Sequence, residues 1–427
     1  MRAAQVQWMK IVSILFFVTV ILLVGSPRPA TAADTIKIGL ADAYSGPFEF
    51  AGRMYLSAIQ FAVDEQNAKG GLLGKKIEIV REDSEYKADV AVRKFKKLIV
   101  DEKVDILGAG TNSATAIVMN KAATEHKKIA INYGGMSDIV QGKEFSRYSF
   151  RVVQQMYNIW AGFSAFLADK PYRRFYFVGQ DMAAGYDGAK VFKEHVKKRL
   201  PDAVIVGEDF HPLATKDFAP YITKIIAAKP DLVALQSTPP DLNSFIKQAR
   251  ALGLKKPFPF FSMSAGEPYV LNDLKDDAIG LIVIGSYSMN VNTPENQAMI
   301  KRYHEKHKND KDFLTWWPFH FIGAPIMGWK AFFAAVEKAG SLDPEKIIQT
   351  FEDFQWKSPL GTTYTMRKCD HQMILPMYAS IIEKPSNPYY DGSIRPEVKF
   401  PFEGTPKMLP ASEVAFPATP DHNPRCR

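Results

Sequence analysis

Ile36–Val80, IKIGLADAYSGPFEFAGRMYLSAIQFAVDEQNAKGGLLGKKIEIV, is the stretch whose reading decides the fold class. Ile36–Ala41 is short, apolar and bounded by turn residues, as a strand buried inside a parallel sheet must be. From Met54 to Asn67, the residues Leu56, Ile59 and Val63 recur at helical spacing, and Gly70-Gly71 stop the helix. Lys76–Val80 is the next strand. Strand, helix and strand in this order make a crossover unit.

Outward from this unit the rhythm continues. Asp105–Gly108 and Lys128–Asn132 read as strands, with helices over Val90–Val100 and Ala114–Glu125. The pattern then restarts with strands at Phe175–Val178, Val204–Val206, Leu232–Leu235, Phe258–Phe261 and Leu281–Ile284. Helices at Ala189–Arg199, Phe218–Ala228 and Leu242–Leu252 separate them. The expected class is α/β, with two doubly wound lobes and a first crossover near Arg151–Gln154. Two such lobes grip a ligand by hinge closure. Helical segments at Pro294–His307 and Phe319–Ala339 follow, and Asp343-Pro344 opens another with a cap and a Pro in the first turn. These complete the first lobe. From Pro385 onward nine prolines and little periodicity predict an extended surface tail, or a partly disordered one.

The N-terminus is a different material. Arg2 and Lys10 precede an unbroken apolar run, Ile11–Gly25, and Ala30-Thr31-Ala32 supplies a small-x-small cleavage pattern. These are the parts of a secretory signal, with cleavage after Ala32 or Ala33. About fifteen apolar residues fall short of the roughly twenty that span a bilayer. The expected location is therefore the periplasm. Without a cysteine near the cleavage point, no lipid anchor is expected.

The formal charge of +8 includes Arg2, Lys10 and Arg28, which leave with the signal. The remaining excess forms no basic block, which excludes nucleic acid as an expected partner. Cys369 and Cys426 are the only cysteines. In an oxidising compartment they can pair and tie the C-terminal tail to the body, and two free thiols are the alternative. Two cysteines do not by themselves make up a zinc-ligand set, and no metal is expected.

IKIGLADAYSGPFEFAG and AIQFAVDEQNAKGGLLGKKIEIVREDSEYKADVAVRKFKKLI resemble the opening of type I periplasmic binding proteins of the leucine/isoleucine/valine-binding kind. Ser45-Gly46-Pro47, Asn67-Ala68-Lys69-Gly70-Gly71 and Gly74-Lys75-Lys76 carry most of the likeness, and KDFAPYITKIIAAKPDLVAL, QARALGL and CDHQ are similar to later blocks. The resemblance implies two Rossmann-like lobes joined by a three-strand hinge. After a signal over 1–32, the first lobe is expected over 34–152 and 286–360. The second is expected over 153–285 and 361–384, and a Pro-rich tail over 385–427. The second and third crossings are expected near Gly285–Tyr287 and Leu360–Thr362. The implied role is capture of an amino acid or similar small molecule, delivered to the membrane permease subunits of an ABC importer by a monomeric receptor.

The residues agree with a binding role. Ala109-Gly110-Thr111-Asn112-Ser113 is a small-residue turn opening a helix, whose exposed N–H groups and dipole favour an anion. By resemblance Asn112 and Ser113 take the ligand carboxylate. The loop Tyr133–Ser137 matches the family's other first-lobe contact. There Gly134 and Gly135 admit a close backbone approach, and Met136 stands where a hydroxyl residue is expected. In the second lobe the acid that grips an α-ammonium aligns at Ser264, with Glu267 the nearest acid. Covering aromatics align near Ala51, Ala184 and Thr238, where Phe50 and Tyr186 are neighbouring substitutes. A buried ammonium without a carboxylate is costly. The expected ligand therefore keeps a carboxylate or amide and lacks the zwitterion head: an aromatic or short-chain acid, or an amide. Trp316 and Trp317 read as packing residues.

Catalysis finds no support. GxGxxG fails at Ser113, and there is no GxxxxGK[ST], GxSxG or HExxH. No enzyme activity and no cofactor are expected, and ATP hydrolysis falls to a partner. The rival reading is a ligand-binding co-receptor that reports to a membrane sensor.

Overall fold

The computed structural model describes residues 35–384 and 400–426, so the signal read at the N-terminus and the stretch 385–399 lie outside the described residues. The chain opens with β1 (Ile36–Asp42), α1 (Glu49–Ala68), β2 (Ile77–Asp83), α2 (Ala88–Val100), β3 (Ile106–Ala109), α3 (Ser113–His126), β4 (Ile129–Asn132) and β5 (Ser149–Arg151). These form a parallel sheet in the order β2-β1-β3-β4-β5. Every residue of β3 and β4 is buried, because helices cover both faces.

The second run is α4 (Met156–Leu167), β6 (Arg174–Gln180), α5 (Ala183–Arg199), β7 (Val204–His211), α6 (Ala219–Ala228), β8 (Leu232–Gln236), α7 (Asp241–Ala251), β9 (Phe260–Ser262), α8 (Pro268–Leu274) and β10 (Leu281–Gly285). Its parallel sheet has the order β7-β6-β8-β9-β10. Trp160 of α4 anchors the core beneath it, with the rings of Phe163, Phe177, Phe192 and Phe261 centred 5.0–5.8 Å away. Stacked and edge-to-face aromatic pairs of this kind add about 0.5–1.5 kcal/mol each beyond area burial.

The chain then returns to the first lobe through α9 (Pro294–His307), α10 (His320–Ala339) and α11 (Pro344–Phe351). Tyr303 of α9 shares a 2.6 Å hydrogen bond with Ser57 of α1. Gly340 ends α10 in the left-handed conformation at φ 60°, and Asp343 caps α11 by accepting from Lys346 N at 3.0 Å. Trp316 and Trp317 are buried packing residues; the indole of Trp317 stacks on His304 at 3.6 Å.

A small antiparallel sheet, β11 (Gln355–Lys357), β12 (Thr363–Met366) and β13 (Met373–Ile374), precedes β14 (Met377–Glu383). β14 runs antiparallel to β10 and extends the second sheet. Residues 360–362, where the third crossing was expected, lie between β11 and β12, and the chain enters the second sheet only after β13. The reason is local: the Ser358–Thr362 turn closes on itself through Ser358 N and Gly361 N.

The C-terminal stretch also departs from expectation. Residues 400–426 are no mere surface tail: β15 (Phe402–Glu403) and β16 (Lys407–Leu409) pair with the outer edge of β14, and α12 (Ala411–Val414) packs on α4. Phe400, Phe402, Leu409 and Val414 are buried. Cys369 and Cys426 form a disulfide.

Candidate ligand-binding cleft

In open parallel sheets, ligands bind beyond the carboxyl ends of the strands. The expected site residues follow the strand ends of both sheets, and the two sets of loops meet there. The ring of Phe50, in the first turn of α1, lies 4.8 Å from that of Tyr269 in α8. Tyr157 N, at the start of α4, donates to the carboxyl of Asp138 in the loop after β4.

The first-lobe wall is organised by a residue the sequence reading missed. Asp42, the last residue of β1, is fully buried. Its Oδ1 accepts from Gly110 N (2.9 Å), Thr111 N (2.8 Å) and Thr111 Oγ1 (2.9 Å), and its Oδ2 accepts from the Tyr133 hydroxyl. Burial raises the carboxyl above its ordinary value despite these donors. The turn N–H groups of Gly110 and Thr111, expected to be exposed, are thus taken by an internal carboxylate. The reason is register: β1 and β3 are neighbours, so Asp42 ends level with the turn.

Beyond that turn Asn112 caps α3, its Oδ1 accepting from Thr115 N at 2.7 Å. Ser113 Oγ accepts from Ser137 N at 3.1 Å, which joins the α3 terminus to the Tyr133–Ser137 loop. In that loop the N–H groups of Gly134 and Gly135 donate to Asn132 Oδ1 at 3.2 and 2.7 Å. A Cβ on Gly134 would stand 2.5 Å from both Gly110 O and Tyr55 Oη. Gly134→Ala is therefore expected to cost about 1–3 kcal/mol through overpacking, with a matching loss of ligand affinity, read from urea unfolding and titration calorimetry. The carbonyl of the half-buried Met136 accepts from Met156 N (3.0 Å) and from the buried Arg151 Nη1 (3.3 Å), tying this loop to the first hinge crossing.

Aromatic rings cluster beside these loops. Phe48 stacks on Tyr86 at 4.1 Å and lies 6.5 Å from Phe50, while Tyr55 lies 6.5 Å from Phe321 of α10. On the second-lobe wall, Ser264 is buried and its side chain bonds the Tyr269 hydroxyl. Glu267, the cap residue of α8, is 0% exposed. Its Oε1 accepts from Phe321 N at 3.1 Å, and its Oε2 has no partner among the described residues. Burial raises this carboxyl to about 7, against the opposing pull of His320 and the Phe321 N–H. His320 is itself held by Glu403 at 2.6 Å. Burial lowers the imidazole, and the carboxylates of Glu403 and Glu267 outweigh it and leave the pKa raised.

The structure thus brings Asn112, Ser113, Gly134, Gly135 and Met136 together on one wall, and joins Phe50 to Ser264 and Glu267 through Tyr269. Thr238 and Tyr186 take their partners within their own lobe instead. Thr238 N and Oγ1 both donate to Gln180 Oε1 (3.3 and 3.1 Å). Tyr186, 50% exposed, donates to Asp181 and packs on Phe210. Asp42 and Tyr133 lay in stretches that carried the family likeness without being singled out, and strand pairing joins them. Tyr55, Tyr269 and Phe321 stand on helices and reach the cleft only through tertiary packing. A separate groove of about 640 Å³ opens on the outer face of the first lobe, but its acids are already satisfied. Glu65 pairs there with Arg302 and Lys330, and Glu337 accepts from Gln66 and Leu73 N.

Among the described residues no helix is long and apolar enough to cross a membrane. The sequence model described as periplasmic binding protein matches residues 35–385. Leu/Ile/Val-binding protein homolog 4 of Brucella abortus is 24% identical over 376 residues, covering 85% of this chain and 87% of the relative. Among solved structures, the closed conformation of the leucine-, isoleucine-, valine-, threonine-, and alanine-binding protein from Brucella ovis aligns with a TM-score of 0.78 at 25% identity, over 90% of this chain and 97% of that one. A solute binding protein of an ABC transporter from Rhodopseudomonas palustris, in complex with 3,4-dihydroxybenzoic acid, aligns with a TM-score of 0.74 at 23% identity, over 88% and 98%. With the match spanning nearly all of the described chain and the two-lobed architecture shared, the chain belongs to the type I periplasmic binding proteins of the branched-chain amino acid family, the substrate-binding proteins of ABC transporters.

Proposed function

We propose that this protein captures a small carboxylic acid without an α-ammonium group, aromatic by preference, and delivers it to the permease of an ABC importer. The observation that carries the reading is Glu267. An α-ammonium needs an ionised carboxylate beside it, and burial has raised this carboxyl to about 7, so much of it is protonated at neutral pH. A carboxyl in that state pairs well with a hydroxyl, donating or accepting as required. Opposite it, the α3 terminus with Asn112 and Ser113 offers the polar end that a ligand carboxylate seeks. Between the two walls stand Phe50, Tyr55, Tyr269 and Phe321, flat apolar partners for a ring. The dihydroxybenzoate-bound relative supports the same ligand class.

The protein acts outside the inner membrane after removal of residues 1–32, as a monomer and without catalysis of its own. Its lobes exchange between open and closed forms, and the ligand stabilises the closed one through contacts made only there. A thermal-shift panel of 4-hydroxybenzoate, 3,4-dihydroxybenzoate, benzamide, propionate and leucine tests this. A ligand present at a hundred times its dissociation constant adds about 2.7 kcal/mol, readily seen as a raised melting temperature. The benzoates are expected to give the largest shifts. A shift with leucine alone would overturn the reading and assign the ammonium to an ionised Glu267.

A further inference from the structure

The C-terminal segment touches both lobes. On the second lobe, β15 and β16 pair with β14, Asn158 of α4 donates to Val414 O at 2.7 Å, and Arg199 of α5 reaches Glu413. The chain then passes the crossing region, where Arg367 donates to Phe416 O at 2.6 Å and Phe416 packs on Tyr157 at 4.9 Å. It ends on the first lobe. His422 covers Gly142, where an added Cβ would meet its imidazole at 2.9 Å, and Asn423 donates to Gln141 O at 3.0 Å. Arg425 pairs with Glu352 at 2.8 Å and lies over the Phe145 ring at 4.9 Å. Cys426 closes the path on Cys369, whose neighbours Asp370 and His371 accept from Gln141 through their carbonyls.

We infer that residues 410–426 form a fourth connection between the lobes, pinned by the Cys369–Cys426 disulfide, which limits how far the cleft opens. Hinge motion concentrates in a few connecting segments. Here those segments are 152–155, 286–293 and 375–376, so Cys369 stands on the first-lobe side of the third, where Gln372 bridges Arg151 of β5. A strap attached to both lobes beside them must stretch or detach when the lobes rotate apart. Hydrogen bonds and two surface ion pairs alone would allow it to detach, since such pairs contribute about 0–1 kcal/mol each. The disulfide keeps the first-lobe end in place in any oxidising compartment. By narrowing the open ensemble, the strap lowers the entropy lost when a ligand closes the cleft.

The test measures lobe separation without ligand, so a wrong ligand class leaves it untouched. Spin labels are placed by ketone chemistry at positions 92 and 226, exposed sites on α2 and α6, and interlobe distances are read by pulsed electron paramagnetic resonance. Cys369→Ala/Cys426→Ala is expected to give a longer mean distance and a broader distribution than wild type. If that variant does not fold, the same reading is taken on folded wild type before and after reduction, with circular dichroism verifying the fold. Superimposable distributions with and without the disulfide would overturn the inference.

Discussion

Asp42→Ala is expected to destabilise the protein by about 3–5 kcal/mol and to abolish ligand binding. The carboxylate, itself fully buried, satisfies two backbone N–H groups, the Thr111 hydroxyl and the Tyr133 hydroxyl. Each buried donor left without a partner costs about 1–3 kcal/mol, and the backbone donors of Gly110 and Thr111 cannot turn elsewhere. Binding fails with stability because the same hydrogen bonds hold the turn that leads into Asn112 and Ser113. Asp42→Asn keeps the volume and one acceptor oxygen, so its loss should be smaller, about 1–2 kcal/mol. Urea unfolding midpoints, with unchanged slope, measure both. Equal small losses for the two variants would show that the turn stands without this carboxylate.

Glu267→Gln should act in the opposite direction on stability. Its carboxyl is raised from 4.5 to about 7 in the folded protein, so between those values the native state binds more protons than the unfolded one. Stability therefore falls as pH rises through that window, and the ionised form carries a penalty of about 3 kcal/mol above it. The glutamine variant removes the penalty. It should melt at a higher temperature than wild type at pH 8 and lose most of the stability slope between pH 5 and 8. Near pH 4.5 the difference should vanish. An unchanged slope in the variant would mean that Glu267 titrates as an exposed acid. The buried, unpartnered oxygen is the kind of local cost that binding sites carry.

How far the sequence foretold this architecture depends on which residues carried the signal. Strands such as Ile36–Asp42 and Leu232–Gln236 announced themselves because both sheet faces are covered and nearly every residue is apolar. Helix α4 went unread for the opposite reason: MYNIWAGFSAFL is buried almost all round, so it has no polar face and no helical period. Strand β5 is only Ser149-Phe150-Arg151, and β15 has two residues in a proline-rich stretch, too short for any alternation to register.

The site divides along the same line. Asn112, Ser113, Gly134 and Gly135 follow strands directly, so a local reading of turn chemistry reached them. Asp42 and Tyr133 are 91 positions apart and meet only because β1, β3 and β4 lie side by side. Glu267 stood in the sequence as the nearest acid to an empty position. Its burial and its bond to Phe321, 54 residues on, are products of the tertiary fold.

Titration calorimetry of 3,4-dihydroxybenzoate and of leucine, each at pH 6 and pH 8, tests the central claim most directly. The account predicts saturable binding of the dihydroxybenzoate at both values, within about tenfold of each other, because Glu267 can accept or donate to a ligand hydroxyl. It predicts weak or no binding of leucine at either. Tight leucine binding that strengthens from pH 6 to pH 8, as an ionising Glu267 would require for an ammonium, would contradict it.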